Sequence, residues 1–169
     1  MLVAASASAA DLTVTIRNVH SDKGELLIGV YSGAEGYKKG VADSATKSAL
    51  LPEEGRLLGA SLRAKAGSQS ITFDGLAPGR YAVVAFHDEN DNGLLDQNAL
   101  GIPTEGYGFS NDAYGFLGAP SFEAAAVSID SAEAHVTAAI TLSYPRAVSQ
   151  DERRDYEGLT GSSLPPRQR

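Results

Sequence analysis

Residues 81–86 read Tyr-Ala-Val-Val-Ala-Phe, a stretch made only of apolar and aromatic residues. A strand with one face in water alternates polar and apolar side chains, whereas a short uniform run is typical of a strand covered on both faces. We therefore predict that residues 81–86 form a central strand, with the other elements of the fold packed around it.

Six other stretches alternate apolar and polar residues with a period of two, as half-buried strands do. Their centres lie at residues 12–16, 26–30, 58–64, 71–73, 125–129 and 136–142. Together with the central stretch they predict an all-β fold, a single antiparallel β-sandwich of about seven strands. Of the two long gaps, residues 33–56 are expected to hold a short helix around residues 44–51, and residues 88–121 a long aromatic-rich loop insertion.

The composition limits the size and the class of the protein. The chain of 169 residues suits one domain, and its 18 glycines favour strands and turns over helices. It contains no cysteine, so disulfides, zinc–thiolate sites and cysteine nucleophiles are excluded. The net charge of −7 argues against contact with a phosphate backbone, so we expect no nucleic-acid partner.

The two ends of the chain are expected to lie outside the folded domain, which we place at residues 11–145. Residues 1–10 are small and apolar and end in Ser-Ala-Ala, which is typical of the end of a secretory signal. We therefore expect an exported protein, periplasmic or extracellular, whose mature chain begins at Asp11; a disordered alanine-rich leader is the alternative. Residues 146–169 carry five arginines, four acids and few apolar residues, so we expect a disordered tail. No apolar run reaches the roughly 18 residues of a membrane span.

Acidic residues are concentrated in the second half of the chain. Residues 81–145 contain nine acids and no lysine or arginine, and six of these acids lie between residues 88 and 112. Like charges this close repel one another unless solvent, protons or a cation screens them. The sequence therefore predicts either a solvated acidic loop or a cation site.

The cation site is the sharper prediction, because residues 88–96 read Asp-Glu-Asn-Asp-Asn-Gly-Leu-Leu-Asp. Oxygen-bearing side chains recur at every second position before a glycine, as in the first two-thirds of the calcium-loop pattern. Alternate side chains of a tightly turning loop converge on one point, and hard oxygen ligands favour calcium. The predicted ligands are Asp88, Asn90, Asn92, the carbonyl of Leu94, and Asp96, with Glu105 as the nearest acid downstream.

The match to the calcium-loop pattern is incomplete. The twelfth position, where an EF-hand carries a bidentate glutamate, is Ala99, so this loop is not an EF-hand. Two of the first three candidate ligands are neutral asparagines, which predicts the weak affinity of extracellular calcium modules. The alternative is a set of Asx-turns, which aspartate and asparagine form without a metal.

His87 and the aromatic stretch at residues 105–122 suggest two further functions. His87, oriented by Asp88 or Glu105, would be an acid–base group of a hydrolase, although a lone histidine here is more often a hydrogen-bonded core residue. The aromatic stretch would close one end of the sandwich, or would form a platform for a glycan or a partner through Tyr107 and Tyr114. Its rings are Tyr107, Phe109, Tyr114, Phe116 and Phe122.

Several blocks of residues, taken in order, resemble one bacterial family. They are Phe-Asp-Gly-Leu-Ala-Pro-Gly-Arg-Tyr-Ala at 73–82, His-Asp-Glu-Asn-Asp-Asn-Gly at 87–93, Asp96, Gly-Ile-Pro at 101–103, Glu-Gly-Tyr-Gly-Phe-Ser-Asn at 105–111 and Pro-Ser-Phe at 120–122. They look like the bacterial exported proteins catalogued as domain of unknown function 2141, over roughly residues 11–144. The resemblance implies a secreted β-sandwich similar to transthyretin-like or carboxypeptidase-regulatory-like domains, and it implies no catalytic residues.

From these patterns we expect a binding or structural module of the cell envelope, stabilised by Ca²⁺, rather than an enzyme. Its partner would be another envelope protein or a glycan. The alternatives are a hydrolase that uses His87 with Asp88 and Glu105, and a glycan-binding module that uses the aromatic loop. The exposure of His87 distinguishes the hydrolase from the binding or structural module, because a buried histidine cannot contact a substrate.

Overall fold

The computed structural model describes residues 10–46, 56–116, 118–132 and 134–145. Most of this part of the chain is β-structure, with two helices and one 3₁₀ turn at Ser110–Asp112. In chain order the elements are β1 (Ala10–Val19), β2 (Glu25–Tyr31), α1 (Ala34–Asp43), β3 (Arg56–Arg63), β4 (Gly67–Leu76), β5 (Gly79–Asp88), β6 (Gly106–Phe109), α2 (Phe122–Ala125), β7 (Ala126–Ile129) and β8 (His135–Thr141).

The strands form two sheets. One has the order β4-β1-β8, and the other has the order β3-β2-β5-β6, with β7 also paired to β5. β5 is central, as predicted, because β2 lies along one side of it while β6 and β7 share the other side. All seven predicted strands are present, and β6 is an eighth strand that lies inside the predicted loop insertion.

The prediction of a purely antiparallel arrangement is wrong at one pairing. β1 and β8 run parallel, from Asp11 opposite His135 to Arg17 opposite Thr141, while the other strand pairs are antiparallel. A parallel pair needs a long connection, and here almost the whole domain connects the two strands. Alternation within each strand shows which face is buried, but it does not show the direction of a partner so distant in sequence.

The two sheets share one hydrophobic core, and the second sheet is also covered on its outer face. Tyr81, Val83 and Ala85 of β5 lie in the same core as the inward residues of β1. On the other face, Phe86 packs with Leu27 and Leu95, and Ala82 lies in a cluster with Tyr37, Phe109 and Phe122. The prediction that β5 is covered on both faces is therefore confirmed, and α1, α2 and the β5–β6 loop supply the second cover.

The helix in the first gap lies earlier than predicted. α1 ends at Asp43, and residues 44–46 form a turn, while residues 47–51 of the predicted helix lie outside the described ranges. Two glycines within α1 lower its helix propensity and conceal it in the sequence. Gly40 is required by packing, because a Cβ there would lie 2.2 Å from the Tyr31 hydroxyl oxygen.

The predicted signal segment and tail are almost entirely outside the described ranges, namely residues 1–9 and 146–169. Ala10 is the exception, since it is the first residue of β1, has no exposed surface and pairs with Leu76. Among the described residues, no helix has the length and the apolar character that crossing a membrane requires.

Candidate metal site in the loop between β5 and β6

The loop between β5 and β6 turns sharply directly after the end of β5. Asp91 and Gly93 both have left-handed backbone conformations, with φ of 59° and 77°. Glycine adopts this conformation at no steric cost, and aspartate tolerates it better than most residues. The turn brings the loop back over the end of β5.

Asp88, the last residue of β5, anchors this turn. Its carboxylate accepts hydrogen bonds from the backbone N–H groups of Asn92 at 3.1 Å and Gly93 at 2.6 Å. The residue is 2% exposed, so these two N–H groups replace the water that a carboxylate would otherwise bind.

The period-two side chains of the loop do converge, and they meet on Asp96. The Nδ2 atoms of Asn90 and Asn92 donate to the two carboxylate oxygens of Asp96, at 2.7 and 3.0 Å. The Oδ1 atoms of the same asparagines accept from the N–H groups of Asn92 and Leu94, at 3.1 and 2.8 Å. Each asparagine therefore forms an Asx-turn with its oxygen and binds Asp96 with its nitrogen.

Glu105 connects the two ends of the loop. Its Oε1 accepts from the N–H of Glu89 at 2.9 Å, and its Oε2 accepts from the N–H of Asp96 at 3.0 Å. Burial raises the pKa of this carboxyl above its ordinary value, the two backbone hydrogen bonds oppose that rise, and the charges of Asp96 and Asp88 add to it. Sequence proximity suggested Glu105 only as the nearest acid downstream, and the fold places it directly against the loop.

The side chain of Asp91 points away from this cluster. It is exposed, and its carboxylate oxygens lie 3.1 and 3.3 Å from Nη1 of Arg63 on β3. This is the orientation that the alternation predicts for an even position in the loop. Arg63 could not be identified from the sequence, because it lies 28 residues away from Asp91.

The donor set fits a hard cation only if the asparagines take part. Within the described ranges, no three histidine or acidic side chains lie together in a way that could hold a metal ion. A site here would therefore combine Asp88, Asp96 and Glu105 with the amide oxygens of Asn90 and Asn92 and the carbonyl of Leu94. Because the amide nitrogens face Asp96, both amides would have to turn, so a cation and the Asx-turns compete for the same side chains.

His87 is buried and fully paired. Its Nε2 lies 2.7 Å from the carbonyl oxygen of Lys23, and its Nδ1 lies 2.7 Å from the hydroxyl of Tyr144. A carbonyl only accepts, so Nε2 carries the proton. Burial raises the pKa of Tyr144, whose hydroxyl then donates to Nδ1. His87 has no exposed surface, so it cannot reach a substrate in this conformation.

The aromatic rings of the predicted loop insertion divide into two groups. Phe109 and Phe122 are buried against Tyr37 and Tyr107 is partly buried beside them, as expected for rings that close the fold. Tyr114 and Phe116 are 82% and 87% exposed, so they do not close it.

The comparison with protein families decides what kind of chain this is. The model of a family described as uncharacterized proteins conserved in bacteria, DUF2141, matches residues 14–137. The chain belongs to this family. The resemblance that the blocks between residues 73 and 122 indicate is therefore confirmed. No curated protein and no solved structure matches this DUF2141 protein.

Proposed function

We propose that this DUF2141 protein is an exported structural or binding module of the bacterial cell envelope, whose β5–β6 loop is ordered by Ca²⁺. One observation carries the proposal: the side chains of Asn90 and Asn92 converge on the carboxylate of Asp96, and Glu105, the residue before β6, accepts a hydrogen bond from the backbone N–H of Asp96. The shared core of the two sheets supports the finer expectation of a sandwich similar to transthyretin-like or carboxypeptidase-regulatory-like domains.

The charges of the loop favour a cation. Asp88, Asp96 and Glu105 are three carboxylates in or directly before the β5–β6 loop, and residues 81–145 contain no lysine or arginine. Arg63 comes from β3 and pairs with the outward Asp91, so it does not neutralise the inner carboxylates directly. A bound Ca²⁺ would remove their mutual repulsion, and two neutral asparagine ligands suit the weak sites of extracellular modules.

A cation would act on the fold through β6. Leu95 in the middle of the loop packs with Leu27 and Phe86, and Glu105 directly precedes the first residue of β6. Ordering the loop would therefore hold the edge of the second sheet in place. In this proposal the metal is structural, and the protein's own residues only bind and orient it.

We do not propose a hydrolase. That alternative requires His87 to contact a substrate, and His87 has no exposed surface while both of its ring nitrogens are paired. The ring nitrogens of His87 are paired with Tyr144 and with the carbonyl of Lys23 rather than with Asp88 or Glu105.

The calcium proposal is tested by thermal unfolding of the metal-free protein with and without Ca²⁺. Binding to the native state stabilises it by RT ln(1 + [L]/Kd), about 2.7 kcal/mol at a hundredfold excess over Kd. We expect Ca²⁺ to raise the Tm of the wild type and chelator to reverse the rise. Asp88→Asn should lose most of the rise, and Asp91→Asn should retain it. Equal losses in both variants would indicate diffuse screening, and no rise in the wild type would refute the site.

Export is tested by fractionation and mass spectrometry in the native host. We expect the protein outside the cytoplasm, with a mature chain that begins at Asp11. Ala10 is fully buried in β1, so a mature chain that begins at Ala10 would keep a core residue. That result would change only the expected cleavage position and would still support export. An intact Met1 in the cytoplasm would refute export.

A further inference from the structure

We propose that the cleft beside β6 binds a neutral saccharide ring that stacks on Tyr114. This inference goes beyond the calcium-ordered module, and it depends on residues outside the metal loop. We call this feature the aromatic cleft, and its walls include Tyr107, Asp112, Tyr114, Gly115, Thr141 and Ser143. Its volume is about 200 Å³, which suits one ring rather than an extended ligand.

The floor of the aromatic cleft is rigid because the two sheets join there. Tyr107 of β6 and Ser143 beyond β8 exchange two backbone hydrogen bonds, of 3.1 and 2.8 Å. Gly108 lies so close to β8 that a Cβ would be 2.6 Å from Cγ2 of Ile140. A preformed floor reduces the ordering cost of binding a ligand.

Tyr114, which lines the cleft, and Phe116, two residues further along the chain, are unusually exposed. Tyr114 and Phe116 are 82% and 87% exposed, although aromatic side chains of this size are normally packed. Gly115, between the two rings, lies directly against Gly118, because a Cβ on Gly115 would lie 2.2 Å from the carbonyl oxygen of Gly118.

Polar groups line the cleft beside these rings. Oδ1 of Asp112 accepts from the N–H of Thr141 at 2.6 Å, and the Asp112 side chain is exposed at the cleft. Asn111 and Asp112 are consecutive residues with φ of 62° and 49°, and Asn111 is held by its Nδ2 to the carbonyl of Ala126 at 2.9 Å. Asparagine and aspartate tolerate this left-handed conformation, which turns the chain sharply beside the cleft.

The charge of the cleft selects among ligands. Asp112 is the one charged residue among those lining it, and residues 81–145 contain no lysine or arginine, so phosphate and carboxylate ligands have no counter-charge. A sugar ring matches both the aromatic ring and the polar groups of the cleft. Its C–H face packs on the electron-rich face of Tyr114, and its hydroxyls donate to Asp112 and exchange hydrogen bonds with Thr141 and Ser143.

The test is NMR titration of the full ¹⁵N-labelled chain with glucose, galactose, N-acetylglucosamine, cellobiose, lactose and chitobiose. We expect at least one of these sugars to bind saturably and to shift the amides of residues 107–115 and 141–143. Tyr114→Ala should weaken that binding by about tenfold or more, the ordinary loss for an aromatic anchor. Tyr114→Phe should keep it, because the ring remains. Leu100→Ala is the matched control, since Leu100 is also 82% exposed but does not line the cleft.

Three results would overturn the inference. They are no saturable binding of any sugar in the panel, equal weakening by Tyr114→Ala and Leu100→Ala, and binding of tetramethylammonium at these amides in place of sugars, which would assign a cation site. Running each titration with Ca²⁺ and with chelator separates this inference from the metal proposal. A calcium-dependent Tm without sugar binding would refute the cleft alone, and sugar binding without a calcium effect would refute the metal alone.

Discussion

The two segments that flank β6 are built in opposite ways. Before β6, residues 89–105 form a loop in which Asp96 accepts hydrogen bonds from two asparagine side chains and Glu105 accepts them from two backbone N–H groups. After β6, residues 112–116 turn Tyr114 and Phe116 outward into solvent. The same sheet edge therefore carries one segment whose acidic side chains are held by hydrogen bonds within the loop and one segment that exposes two aromatic rings.

Because of this difference, substitutions in the first segment should change stability, whereas substitutions in the second should change ligand binding. Removing a buried partner from the first segment leaves backbone N–H groups unpaired, which is costly. Truncating an exposed ring in the second segment removes few contacts within the protein, so its cost should appear in ligand binding instead. The predictions below are ordered by the size of the expected change in unfolding free energy.

The largest loss is expected where β6 begins, because both segments depend on that strand. A Cβ at Gly106 would lie 2.3 Å from the Tyr144 ring, and Tyr144 is hydrogen-bonded to His87. Gly106→Ala should therefore lower the unfolding free energy by about 3 kcal/mol, measured by urea denaturation. Gly79→Ala is the control, since its Cβ would meet the Tyr81 hydroxyl oxygen at an ordinary 3.5 Å. Similar losses in both variants would contradict the packing argument.

The next loss is expected at the anchor of the metal loop. Asp88→Ala removes the acceptor of two backbone N–H groups and should cost roughly 2 kcal/mol in metal-free protein. Asp91→Ala removes only an exposed pair with Arg63 and should cost less than about 1 kcal/mol. Urea denaturation of both variants measures the difference. If Asp91→Ala were the more damaging change, the inward and outward assignments of the loop would be wrong.

A smaller effect is expected from the pH dependence of Glu105. Its pKa in the folded protein is raised above the ordinary 4.5, chiefly by burial, so the folded state favours the protonated form. Its contribution to stability is then complete below about pH 4.5 and is lost as the pH rises through the folded pKa. In metal-free protein, the stability of the wild type relative to Glu105→Gln should therefore fall as the pH rises above 4.5. Calcium favours the ionised carboxylate and should reduce this fall, and a rise over the same range would contradict the sign of the shift.

The smallest effect on stability is expected in the second segment. Tyr114→Ala and Phe116→Ala should each change the unfolding free energy by less than about 0.5 kcal/mol, as exposed positions usually do. Thermal and urea denaturation without any sugar measure this directly. A loss above about 2 kcal/mol from either variant would mean that the ring packs within the protein and is not free for a ligand.

The strands were predictable because burial leaves a local pattern. The uniform run at residues 81–86 identified β5 as central, and the period of two identified six of its companions. β6 was not predictable in this way, because its four residues Gly-Tyr-Gly-Phe are short and two of them are glycine. The parallel pairing of β1 with β8 depends on contacts between distant parts of the chain, which leave no local pattern.

In the candidate site, too, only the features set by local spacing were predictable. The alternation of Asn90 and Asn92 indicated that these two side chains lie together, since the spacing itself determines their direction. The partners that come from elsewhere in the chain were not indicated, and Tyr144 reaches His87 across 57 residues. The exposure of Tyr114 beside the burial of Phe109 was also not indicated, because both rings stand next to glycine.

The most direct test of the central claim is isothermal titration of metal-free protein with Ca²⁺. We predict one saturable site per chain, retained in Asp91→Asn and lost in Asp96→Asn, because Asp96 is the residue on which both asparagine side chains converge. Heat that never saturates, or an equal reduction in the two variants, would contradict the claim and leave the β5–β6 loop as a set of Asx-turns.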